Sequence, residues 1–255
     1  MNGKKICVIG LGYIGLPTSA MFATHGCKVH GVDVNEEVVN ALNQGKIVIE
    51  EPYLDIMVQA AVRSGHLKAD TKPQEADVFI IAVPTPLTND KKADMSCVIS
   101  AAESIVPYLR KDNLVILEST SPVGTVENLL IPILEKSGLK VGEDLYVGHA
   151  PERVLPGKIL WELVHNNRIV GGINKKSAEK IRDLYKIFVN GEIYLTDATT
   201  AEMCKLMENT YRDVNIALAN ELAKICEENG INAWEVINLC NKHPRVNLHQ
   251  PGPGV

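Results

Sequence analysis

One stretch near the start constrains the fold more than any other: Lys5-Ile6-Cys7-Val8-Ile9 running directly into Gly10-Leu11-Gly12-Tyr13-Ile14-Gly15. The first five residues read as a short buried strand. The residues from about Leu16 to His25 read as a helix, and Lys28-Val29-His30-Gly31-Val32 as a second strand ending at Asp33. Gly10 permits a tight turn, Gly12 lets the backbone approach a pyrophosphate, and Gly15 lets the helix pack close to the strand. Tyr13 and Ile14 complete the loop that would hold the phosphates at the helix N-terminus, where an anion is favoured. Asp33 falls about 20 residues on, where a carboxylate accepts hydrogen bonds from the ribose hydroxyls and repels a 2′-phosphate. The expected cofactor is therefore NAD rather than NADP.

The alternation continues. Asp77-Val78-Phe79-Ile80-Ile81-Ala82-Val83 reads as a strand leading into Pro84-Thr85-Pro86, and Met95 to Leu109 as a helix. Asn113-Leu114-Val115-Ile116-Leu117 reads as a strand ending in Glu118-Ser119-Thr120-Ser121-Pro122-Val123-Gly124-Thr125. A helix follows from about Thr125 to Lys136, then a strand at Leu145-Tyr146-Val147, and Glu192-Ile193-Tyr194-Leu195 closes the series. This order implies an α/β fold, a doubly wound Rossmann-like parallel sheet with right-handed crossovers. Ligands of such sheets bind at the carboxyl ends of the strands. Thr85 and Thr120 fall at two such ends, where a hydroxyl can reach a dinucleotide or cap a turn.

The last quarter is helical. Met203, Leu206, Thr210, Val214, Ala217, Leu218, Leu222 and Ile225 trace an apolar stripe from about Thr199 to Asn229, closed by Gly230. Lys205 and Asn209 lie one turn apart on the same face and could hold an oxygen-rich group, although an exposed lysine and a hydrated amide fit the spacing as well. Such a helix is roughly 45 Å long at about 1.5 Å per residue, longer than one small domain can cover. It reads as a spine between domains and a dimer interface. Trp234, Val236, Ile237 and Leu239 mark a second amphipathic helix expected to pack on it. Ahead of the spine, Pro151, Pro156 and Gly157 bracket Glu152, Arg153 and Lys158 in a loop that is either solvated or rigid and presented to an anionic substrate.

Composition narrows the classes. The 255 residues carry a net charge of −5, which argues against a nucleic-acid partner. No apolar run approaches the roughly 18 residues that span a bilayer. The six cysteines are scattered, which suits reduced thiols in a cytoplasmic protein and calls for no metal.

Five motifs occur in one order: Gly10 to Gly15, Val83-Pro84-Thr85-Pro86, Ser119 to Thr125, Pro151-Glu152-Arg153-Val154-Leu155-Pro156-Gly157-Lys158, and Lys205-Leu206-Met207-Glu208-Asn209-Thr210. Together they resemble the UDP-glucose/GDP-mannose 6-dehydrogenase family over essentially the whole chain. Glu152-Arg153-Val154-Leu155-Pro156-Gly157, Ala201-Glu202-Met203-Cys204-Lys205 and His243-Pro244-Arg245-Val246-Asn247 resemble the branch that acts on UDP-N-acetylhexosamines. The UDP-glucose branch usually has an aromatic where this chain has Arg153 and a glutamate where it has Pro156, which disfavours UDP-glucose.

The resemblance implies oxidation of a sugar 6-hydroxymethyl group to a carboxylate by two hydride transfers to NAD, through a cysteine thioester. It implies that Lys205 and Asn209 hold the oxyanion, that Thr120 positions a water, and that Glu152 assists proton transfer. It further implies that Arg153, Val154, Arg212, His243 and Arg245 contact the nucleotide sugar alongside Glu152, Lys205 and Asn209. Residues 1–196 would form the NAD-binding domain and 197–255 a central dimerisation and substrate domain. The family continues from a Pro-Gly-x-Gly turn, here Pro251-Gly252-Pro253-Gly254, into Gly-Gly-His-Cys. The expectation is therefore an N-terminal fragment that binds NAD, lacks the nucleophilic cysteine and the C-terminal domain, and exposes apolar surface along the spine that favours dimers or larger assemblies.

Overall fold

The computed structural model describes residues 3–254, which divide into two compact units, the larger ending at Met203 and the smaller beginning at Cys204. In chain order the larger unit contains β1 (Lys5–Ile9), α1 (Gly15–Thr24), β2 (Lys28–Val32), α2 (Glu36–Asn43), α3 (Leu54–Arg63), β3 (Leu67–Asp70), β4 (Val78–Ile81) and α4 (Ser96–Ile105). It continues through β5 (Leu114–Leu117), α5 (Ile131–Leu134), β6 (Tyr146–His149), α6 (Ile159–His165), β7 (Arg168–Gly172), α7 (Lys175–Tyr185), β8 (Ile193–Asp197) and the first turns of α8 (Ala198–Glu228). The strands form one sheet in the order β3-β2-β1-β4-β5-β6-β7-β8, parallel throughout except between β6 and β7. Its first six strands have the order that places a dinucleotide crevice beside β1 and β4.

Both faces of the sheet are covered, and the side chains divide between them with period two. Ile6, Val8, Val78 and Ile80 join one core layer with residues of α1, α3, α6 and α7. Cys7, Ile9, Phe79 and Ile81 join the other, with residues of α4 and α5. Burial on both faces is why these strands read as nearly unbroken apolar runs.

Three features differ from the sequence expectation. β3 and β7 carry no clear strand signal: β3 is Leu-Lys-Ala-Asp, and β7 ends in two glycines. Pairing with β2 and β8 makes them strands. The sheet is also not wholly parallel. After β6 the chain forms a loop and the short α6 at the same end of the sheet, so β7 must run back and meets β6 antiparallel. Finally, the helix expected from Thr125 begins as a wide π-type turn, Val126–Leu130, before α5. Pro132 has no N–H for the carbonyl four residues back, and its ring crowds that carbonyl, so the wider turn is favoured.

The smaller unit contains the rest of α8 and α9 (Ala233–Cys240). The apolar stripe read from sequence is not the buried face. Val214, Leu218 and Ile225 are exposed, whereas Ile216, Ala219 and Cys226 are buried. On α9, Ala233 and Ile237 are buried while Trp234 and Leu239 are exposed, so the expected packing face is narrower than the sequence pattern. Asn232 caps α9 by accepting hydrogen bonds from the N–H groups of Trp234 and Glu235 at 3.0 and 3.2 Å. Among the described residues, no helix is long and apolar enough to cross a membrane.

Candidate active site

The glycine loop has the geometry of a phosphate cradle. Gly10 has φ +94°, and a Cβ there would lie 2.6 Å from the Ala82 carbonyl oxygen. At Gly15 a Cβ would lie 1.8 Å from the Gly10 oxygen, so the glycine lets the start of α1 close on its own loop. At Gly12 a Cβ would meet nothing within 4 Å, which leaves open space in front of the backbone. No side chain caps α1, with Ile14 at its N-cap position. Tyr13 is exposed beside it. An uncapped N-terminus facing open space suits a pyrophosphate. Asp33 stands at the end of β2, where Oδ2 accepts from the Leu11 N–H and Oδ1 from the Asn35 N–H, each at 2.9 Å. It therefore fastens the glycine loop to β2, a role the sequence reading did not include, and each oxygen keeps a further lone pair for a ribose hydroxyl.

Thr85 and Thr120 come together at the ends of β4 and β5. The Thr85 hydroxyl donates to the Thr120 carbonyl at 2.8 Å, and the Ser119 hydroxyl donates to the Val83 carbonyl at 2.7 Å. These two loops are thus joined as one rim of the crevice. Glu202, buried in the first turns of α8, accepts from the N–H groups of Gly124 at 2.5 Å and Val126 at 2.9 Å. Burial raises its pKa, and those backbone donors oppose the rise. Sequence had marked Glu202 only as part of a resemblance. Its bond partners are about 77 positions away, too far for any local pattern to register.

The Pro151–Lys158 loop is anchored by buried hydrogen bonds at its start, whereas Leu155 to Lys158 are exposed. Glu152 is buried, and its Oε1 accepts from the Arg153 N–H at 2.7 Å. Its Oε2 accepts from Arg168 Nη2. The antiparallel register explains the pairing: Gly148 faces Gly172 and His149 faces Gly171, so extending it by three residues brings Arg168 opposite Glu152. Arg168 also lies over the Tyr185 ring, 4.3 Å from its centroid, and its Nη1 stands 3.8 Å from Glu118 Oε1. The Tyr185 phenol donates to that same oxygen. Burial lifts the Glu118 carboxyl to about 7, with Arg168 opposing the rise and Glu152 adding to it. Burial also pushes the Tyr185 phenol well above its usual range, so it remains a donor.

Further along the loop, Glu51 accepts from the N–H groups of Gly157 and Ile159, each at 2.7 Å, and fixes the entry to α6. Arg153 donates to the Asn167 carbonyl, and Val154 packs against the sheet core. The sequence reading named Glu152, Arg153 and Val154, but not Glu118, Arg168, Tyr185 or Glu51. The available signal for Arg168 was indirect: two carboxylates at the ends of adjacent strands need a cation between them.

In the smaller unit, Lys205 and Asn209 are half-buried on α8, and Arg212 is exposed. His243 and Arg245 are exposed on a loop whose ends are tied by Asn241, which accepts from the Leu248 N–H at 2.7 Å and donates to its carbonyl at 2.9 Å. Asn220 ties α8 to Gly252 in the same two-way fashion, at 2.8 and 2.9 Å.

With this geometry in hand, comparison with known proteins gives the class. The chain belongs to the UDP-glucose/GDP-mannose dehydrogenase family: residues 4–189 match its NAD-binding domain and residues 199–255 its central domain. It is 57% identical to the UDP-N-acetyl-D-mannosamine dehydrogenase of Methanococcus maripaludis over 99% of this chain and 58% of that protein. It is 52% identical to the NDP-N-acetyl-D-galactosaminuronic acid dehydrogenase of Ralstonia nicotianae over 99% of this chain and 61% of that one. The native structure of the Staphylococcus aureus UDP-N-acetyl-mannosamine dehydrogenase superposes with a TM-score of 0.91 at 56% identity, covering 98% of this chain and 61% of that chain. The chain thus spans about three-fifths of the length of these relatives.

Proposed function

We propose that this chain is the cofactor-binding and central part of an NAD-dependent dehydrogenase that oxidises UDP-N-acetyl-D-mannosamine to UDP-N-acetyl-D-mannosaminuronate. The observation that carries the reading is the open glycine cradle with Asp33 fastened behind it, in a chain 57% identical to a relative named for that substrate. NAD, when bound, accepts the hydride. The chain's residues do the rest. Gly10, Gly12, Tyr13, Ile14 and Gly15 receive the phosphates, Asp33 the ribose, and Thr85 and Thr120 line the crevice. Thr120 positions a water, and Glu152 assists proton transfer. Lys205 and Asn209 stabilise the oxyanion that develops as the 6-hydroxymethyl group is oxidised. Arg153, Val154, Arg212, His243 and Arg245 contact the nucleotide sugar, with residues 1–196 serving as the cofactor domain and 197–255 as the central domain.

In this reading neither Cys7 nor Cys27 is the thiol that forms the thioester. Burial pushes Cys7 up to about 12 and raises Cys27, the reverse of what a nucleophile needs. The chain is expected to bind NAD. Self-association through α8 follows from its exposed Met207, Tyr211, Val214 and Leu218. The Ralstonia relative favours a second reading, an epimeric N-acetylhexosamine as substrate.

Calorimetric titration with NAD tests the cofactor site. The expected result is a single site that prefers NAD to NADP and that weakens about tenfold or more in Asp33→Asn, since one charged acceptor is lost. No binding to the unaltered chain would sink the reading. Substrate choice is read from turnover of a chimera in which this chain is joined to the part of the Methanococcus relative that it does not match. UDP-N-acetylmannosamine and its glucosamine and galactosamine epimers would be compared directly.

A further inference from the structure

The buried group beneath Glu152 has more in it than a structural pair requires. Glu118, at the end of β5, is wholly enclosed, yet only one of its oxygens has partners. Oε1 accepts from the Tyr185 phenol of α7 and faces Arg168 of β7, whereas Oε2 has no hydrogen-bond partner among the described residues. Glu152 reaches the same guanidinium from the loop after β6, and His149, also wholly buried, ends β6 alongside. One cation thus serves two buried carboxyl groups. Burying a second charge without a full partner is costly, and the usual relief is for one carboxyl to take a proton. Oε1 is already an acceptor, so that proton belongs on Oε2.

We propose that Glu118 is a positioning residue for Glu152 that acts through Arg168: it takes one proton from solvent onto Oε2 and thereby releases the guanidinium to serve Glu152 alone. When Glu118 gives the proton back, Arg168 is shared between two carboxylates and its hold on Glu152 slackens. The inference rests on the reading of Glu152 as a working carboxylate of the site. Its chemistry is a single protonation, with one O–H bond made or broken and no redox step.

The direction of the pH effect follows from the titration. In the folded chain the Glu118 carboxyl sits near 7, above its ordinary 4.5. The folded state therefore binds this proton more tightly than the unfolded state does. Its contribution to stability is fully present below about 4.5 and is lost as pH rises through about 7.

Carbon-13 NMR of glutamate side-chain carboxyls in this chain, with nitrogen-15 detection of arginine side chains, tests the proposal without substrate. One carboxyl is expected to titrate near neutrality, with the Arg168 resonances following the same midpoint. In Glu118→Gln that carboxyl signal should vanish and Arg168 should become insensitive to pH over the same range. Tyr185→Phe removes a donor that favours the anion, so the midpoint should move to higher pH. That variant carries the test if Glu118→Gln does not fold. A neutral-range titration that persists in Glu118→Gln, Arg168 signals that do not follow it, or a midpoint unmoved in Tyr185→Phe would each overturn the proposal. The reading of Glu152 fails separately: Glu152→Gln would leave turnover of the chimera unchanged while the unaltered chain still showed the neutral-range carboxyl titration with Arg168 following it.

Discussion

The two units hold their candidate functional residues in different ways. In the larger unit several of the partners are distant in sequence and buried. Tyr185 and Glu118 are 67 positions apart, and Ile159 and Glu51 are 108. Along α8 in the smaller unit many side-chain bonds span a single turn, as from Thr210 to Leu206 or from Asn215 to Tyr211, both in exposed settings. The contrast predicts where damage will be felt. A buried long-range pair leaves an uncompensated charge when one member is removed, whereas an exposed local bond is replaced by water.

The largest expected effect is at Arg168. Arg168→Met should destabilise the chain by about 3–5 kcal/mol in urea unfolding, because two buried carboxyl groups lose their shared cation. A loss below about 1 kcal/mol would show that water reaches the cluster and would erase the difference between the units. Next comes Glu202. Glu202→Ala leaves the N–H groups of Gly124 and Val126 without their acceptor, and should cost about 1–3 kcal/mol, with hydrogen exchange at Gly124 and Val126 accelerated. Unchanged exchange there would mean that the loop is held by something else. The smallest effect on folding belongs to the exposed side of α8. Leu218→Ser should change the unfolding free energy by no more than about 0.5 kcal/mol, while lowering self-association in sedimentation equilibrium. A large stability loss at low protein concentration would show that this face is already covered within one chain.

Legibility in the sequence follows the range of the interaction. Gly10 to Gly15 and Asp33 were readable because turn, helix start and acid are set within about 30 residues of one another. The inner strands were readable because burial on both sheet faces leaves an unmistakable apolar run. β3 and β7 were not, since their hydrogen bonds to β2 and β8 do what composition does not. The stripe on α8 was read as apolar surface that this chain leaves open, and Val214, Leu218 and Ile225 are exposed. An apolar face at helical spacing does not by itself say what covers it.

Glu152 and Arg168 show where the boundary lies. From residue order alone the chain can be read as a nucleotide-binding α/β fold with a charged loop after the sheet and a long helix behind it. The sequence also marks Glu152 as a candidate carboxylate. What it could not disclose is that β7 turns back against β6. That reversal, a consequence of the chain returning at the same end of the sheet, is what sets Arg168 opposite Glu152 and within reach of the buried Glu118. The electrostatics of that end of the sheet are therefore a property of tertiary packing. Charges interact through space, and their strength depends on the water that packing excludes.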